Sequence, residues 1–70
     1  MKEKTGYYDR NGKEIRDGDK VHGIIGNDIL QGEVFWEENE EQNYASWILQ
    51  GDLWGALLCE FDDLEILDSD

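Results

Sequence analysis

Seventy residues with a formal net charge of −12, one cysteine and no proline leave room for one small domain. They exclude an internal disulfide and the disulfide-stapled scaffolds common among small secreted proteins. All six basic residues, Lys2, Lys4, Arg10, Lys13, Arg16 and Lys20, fall in the first twenty positions, and residues 21 to 70 carry thirteen acids with no lysine or arginine. Such a field repels phosphate backbones and anionic lipid and attracts cationic surfaces over about a Debye length, roughly 10 Å, so direct nucleic-acid and membrane binding are not expected.

Eight aromatics and a 39% hydrophobic content argue for a folded chain rather than a disordered one. The opening MKEKTGYYDRNG lacks the apolar core of a signal peptide, and no later stretch approaches a membrane span; the expectation is a soluble, cytoplasmic protein. No repeat or linker divides residues 1 to 70, which read as a single domain.

Glycines at 6, 12, 18, 23, 26, 32, 51 and 55 cut the chain into pieces suited to short strands joined by turns. In YYDRNGKEI, Asn11-Gly12 supplies the residue types of a type I′ turn, with Tyr7, Tyr8 and Ile15 on the flanking arms of a tight hairpin or β-turn. Asp17-Gly18-Asp19 is turn chemistry, Lys20 to Ile25 reads as a strand, and Gly26-Asn27-Asp28 as the next turn. A second strand follows from Ile29 to Glu38, in which alternation places Val34 and Trp36 on one face and Glu33, Phe35 and Glu37 on the other. The acidic loop EENEEQ leads into NYASWILQ, where Ala45, Trp47 and Leu49 share a buried face and Tyr44, Ser46 and Ile48 a partly covered one. In GALLCEFDDLEIL the apolar positions also fit a helical stripe, but Gly51 and Gly55 disfavour a helix; the reading is strand, short helical turn, strand. The chain is therefore expected to be mainly all-β, a small SH3-like barrel or curled antiparallel sheet with at most one short helical turn.

The string TGYYDRNGKEIRDGDKV resembles the opening of the YopX family of small phage and prophage proteins, with Thr5, Gly6, Asp9, Asn11, Gly12, Ile15, Gly18, Asp19 and Val21 at the family's places. EFDDLEIL, residues 60 to 67, is similar to the stretch leading into that family's last strand. The middle of the chain is unmatched, and the family's glycine-asparagine-isoleucine continuation is missing where this sequence stops at Asp70. The resemblance implies a β-rich fold and a phage or mobile-element origin, and no established reaction.

Residues with the chemistry for catalysis or metal binding are sparse. His22 and Cys59 are the only nitrogen and sulfur candidates for zinc; His22 reads as an outward strand residue and Cys59 as a small core residue. Asp9, Asn11 and Gly12 fit positions three, five and six of an EF-hand loop, but Tyr7 and Gly18 stand where its first and twelfth ligands belong. Thr5, Ser46 and Ser69 are the hydroxyls besides tyrosine, with a single histidine to serve them, and the glycines form neither phosphate-binding motif. The expectation is a non-enzyme with no metal and no cofactor.

Two functions follow from this pattern. In the first, Glu33, Phe35, Glu37, Glu38, Glu40, Glu41 and Tyr44 form a partner-binding surface for a basic host protein: acids steer the encounter and an outward Phe35 supplies buried area. In a phage setting the target would be a nucleic-acid-binding defence protein, inhibited by polyanion mimicry. In the alternative, the chain is a homo-oligomeric structural or accessory phage protein whose strand edges or apolar faces pair between subunits. Charge runs also serve solubility alone, but ordinary soluble surfaces mix both signs.

Overall fold

The computed structural model describes residues 4 to 67; Lys2 and Ser69, singled out above, lie outside them. Seven strands follow in chain order: β1 (Lys4–Tyr8), β2 (Glu14–Arg16), β3 (Lys20–Ile25), β4 (Asp28–Asn39), β5 (Tyr44–Gln50), β6 (Gly55–Leu57) and β7 (Asp63–Ile66), with one 3-10 turn (Leu58–Glu60) between the last two. The fold is all-β and antiparallel, a two-stranded β1-β2 ribbon beside a five-stranded sheet of order β6-β5-β4-β3-β7.

The β1-β2 hairpin forms where expected, but its turn is not type I′. That type needs positive φ at both central residues, and only Gly12, at +82°, has it. Asp9 organises the turn instead. Its Oδ1 accepts hydrogen bonds from the backbone N–H groups of Asn11 and Lys13 at 3.0 and 2.9 Å, while Gly12 N–H donates to Asp9 C=O at 3.0 Å. The hairpin is also irregular along its arms, because the register shifts between Lys4 and Tyr8. Thr5 compensates: its hydroxyl donates to Ile15 C=O at 2.7 Å and accepts from Tyr7 N–H at 3.0 Å.

The connection between β3 and β4 is a two-residue loop in which Gly26 takes a positive φ of 60° at the first central position, the type II′ arrangement that suits strand twist. At the far edge of the sheet, β7 is covered by the ribbon: Arg10 N–H donates to Leu64 C=O at 2.8 Å, and Ile66 N–H donates to Asp9 Oδ2 at 3.2 Å. Asp9 thus ties the hairpin turn to the closing strand, 57 residues away.

Ile15, Val21, Leu30, Val34, Leu49, Leu58 and Leu64 form the core, with Tyr7, Trp47, Phe61 and Ile66 packed against it. Period-two alternation accounts for which strand residues contribute, and the 3-10 turn adds Leu58, which is buried, while Cys59 beside it is exposed. The expectation of a core cysteine is therefore overturned: one residue of the turn faces inward and it is Leu58. Close backbone approach selects glycine at position 32, where a Cβ would collide with the backbone of Gln50 and Gly51.

Candidate interaction surface

The strand carrying the acidic run is the longest among the described residues. β4 has 12 residues, yet β3 pairs with it only from Asp28 to Glu33. Beyond Val34 it pairs with β5 alone, through Phe35↔Ile48, Trp36↔Trp47, Glu37↔Ser46, Glu38↔Ala45 and Asn39↔Tyr44. The outer part of the β4-β5 hairpin is therefore a two-stranded ribbon that outruns β3.

This overhang corrects the expected aromatic anchor. Val34 is fully buried, but Trp36, two residues on and on the same face, is 44% exposed because the core has ended. Phe35 is half-buried opposite Ile48, itself buried, on the other face. Trp36 instead packs edge-on against Trp47, its cross-strand partner, with ring centroids 5.1 Å apart at 66°. Its indole N–H donates to Glu38 Oε1 at 2.7 Å. The exposed aromatic beside the acids is thus Trp36, which alternation alone assigns to the core.

Glu33, Glu37, Glu38, Glu40 and Glu41 are all exposed, as expected. The loop that carries the last two is held by its neutral residues: Asn39 Oδ1 accepts from Gln42 N–H at 3.2 Å, Asn43 N–H donates to Glu40 C=O at 3.3 Å, and Asn43 adopts a left-handed φ of 51°. Tyr44 is half-buried. Burial first, and then the negative charges of Glu37, Cys59 and Glu60, raise its phenol pKa above the ordinary tyrosine value. Tyr44, Glu38, Glu40 and Ala45 are among the residues lining an open cleft of about 210 Å³ at the ribbon end. The Arg10–Asp63 ion pair, at 2.6 Å, joins the β1-β2 turn to β7, two strands from β4.

The remaining chemical candidates are dispersed. The Thr5 hydroxyl is engaged with backbone, His22 lies on the sheet face opposite Val21, and Ser46 sits across from Glu37. Among the described residues no three His, Cys, Asp or Glu side chains converge as a metal site requires, and no helix is long and apolar enough to cross a membrane. The arrangement can present charge and an aromatic ring to another molecule. Fold and surface together define a small antiparallel all-β protein with an acidic projecting ribbon. Compared with known proteins, the chain matches no family model, no curated protein and no solved structure.

Proposed function

We propose that the protein is a non-enzymatic binding module whose acidic ribbon engages a basic protein. The observation that carries this reading is the placement of Glu37, Glu38, Glu40 and Glu41, all exposed, on a hairpin end that outruns β3, next to the partly exposed ring of Trp36. Glutamates steer a cationic partner over about a Debye length, and the Trp36 ring supplies apolar area and a face for a guanidinium or ammonium group once docked. The resemblance of residues 5 to 21 and 60 to 67 to YopX-family proteins supports a phage or mobile-element setting inside a host cytoplasm. There, a polyanionic ribbon is suited to occupy the nucleic-acid groove of a host defence protein and inhibit it.

The test is a pull-down from host-cell lysate at low and high salt, with a quadruple Glu37, Glu38, Glu40 and Glu41 to Gln variant alongside. Retention of a nucleic-acid-binding protein by the wild type, its release by salt, its loss with the variant and inhibition of its nucleic-acid binding are the expected results. Unchanged target activity at saturating protein counts against the reading.

The homo-oligomeric alternative has one observation in its favour: Leu53, 93% exposed, and Trp54, 40% exposed, directly precede β6, whose outer edge no other strand covers among the described residues. Apolar self-association persists or strengthens in high salt, whereas a charge-steered complex weakens. Sedimentation across salt and protein concentration separates them, and a monomer throughout removes the alternative.

A further inference from the structure

Hydrogen-bond directions along β4 identify a free backbone edge. Val34 N–H donates to Asp19 C=O at 3.0 Å and Val34 C=O accepts from Gly18 N–H at 2.8 Å, so the backbone groups of Val34 point away from β5. In a pleated strand, residues two apart direct their backbone groups to the same side. The N–H and C=O of Trp36 and Glu38 therefore point the same way as those of Val34. The β3 ladder stops at Glu33 and the Gly18-Asp19 turn reaches no further than Val34. The N–H and C=O groups at Trp36 and Glu38 thus meet no other strand among the described residues, while Phe35, Glu37 and Asn39 are turned toward β5.

Charge selects which edge of the ribbon takes an occupant, and what kind. The β5 edge beyond β6 offers Ala45 and Trp47, with no charge. The β4 edge is flanked by Trp36 and Glu38 on one face and by Phe35 and Glu37 on the other. A second copy pairing there would bring two sets of these glutamates onto one short edge, and like charges so close across strands destabilise a sheet.

Resting on the reading of the ribbon as an acidic binding surface, we propose that the partner docks by strand addition: an extended segment with alternating basic and apolar residues pairs with β4 at Trp36 and Glu38. Its apolar side chains lie beside Trp36 and its cations beside Glu37. Main-chain hydrogen bonds supply affinity, and the alternation of side chains supplies selectivity.

The experiment uses the full chain and a synthetic octapeptide of alternating lysine and valine. Two further versions are N-methylated at the lysine or at the valine amides, which removes the donors along one peptide edge or the other. Expected are salt-dependent binding of the parent peptide, binding about tenfold weaker for one methylated version, and slowed hydrogen exchange at the Trp36 and Glu38 amides in the complex. Equal, salt-dependent binding of all three peptides, without protection at Trp36 and Glu38, overturns strand addition and leaves the acidic binding surface standing. If no peptide binds and no basic protein is retained in the pull-down, both readings fall, and the glutamates serve only to guard an open edge against self-pairing.

Discussion

Replacing Asp9 tests whether one carboxylate holds the β1-β2 turn to the end of the chain. Three backbone N–H groups, of Asn11, Lys13 and Ile66, donate to it, and its side chain is buried. At about 1 kcal/mol net per hydrogen bond, Asp9→Ala should cost about 3 kcal/mol. A domain of this length has roughly 4 to 10 kcal/mol in total, so the loss is a large fraction. With a urea slope of about 1 kcal/mol per molar, the midpoint, followed by tryptophan fluorescence, should fall by about 3 M. Asp9→Asn should fall between: its amide oxygen can still accept from Asn11 and Lys13, but its NH₂ then faces the Ile66 N–H, donor against donor.

The same site predicts a pH dependence. Burial by itself would raise the Asp9 pKa, but the hydrogen bonds from Lys13, Ile66 and Asn11 outweigh it and hold the pKa below the ordinary aspartate value. A folded-state pKa lower than the unfolded one stabilises the fold at pH values above the unfolded pKa. That contribution disappears as pH falls through the lower, folded value. The gap in urea midpoint between wild type and Asp9→Asn should therefore be constant from neutral pH to about pH 5 and shrink below about pH 4. The other carboxylates protonate in both proteins and cancel in the difference. An Asp9→Ala midpoint equal to the wild type, or a gap that persists unchanged through the acid range, would refute this account.

Three other outcomes are expected. Gly32→Ala should destabilise by about 3 kcal/mol or more, because the added methyl meets the Gln50 and Gly51 backbone rather than a movable side chain; a wild-type melting temperature would show that the strands separate freely there. Trp36→Ala should cost only about 1 kcal/mol, since the ring is partly exposed, but should erase the near-ultraviolet circular dichroism of its edge-on pair with Trp47. Cys59 should react with a thiol reagent in the folded protein without denaturant, because it is exposed; labelling that waits for unfolding would place the thiol inside.

Local chemistry made much of the fold legible. The Lys20 to Ile25 strand, the Gly26-Asn27 turn and the strand, turn, strand order at the C-terminal end follow from glycine placement and period-two alternation, because these features depend on neighbours in the chain. The turn at Asn11-Gly12 was legible as a turn but not as a type, since Asp9 accepts two bonds from its own loop and a third from Ile66. At the candidate site, the exposure of the glutamates could be read from composition. The identity of the aromatic beside them could not.

Alternation says which residues share a face; it does not say where the neighbouring strand ends. β3 stops pairing at Glu33, so Val34 is sealed in the core, Trp36 on the same face emerges from it, and Phe35 on the other is half-covered opposite Ile48. The same limit hid the inward turn of Leu58 and the outward turn of Cys59. The sequence by itself determined the strands, most of the turns and the one-sided charge, all set by local backbone preference and residue type. Strand order, the overhanging ribbon and its open edge were decided only when distant segments competed to cover one small core, because burial depends on what packs above a residue and not on what flanks it in the chain.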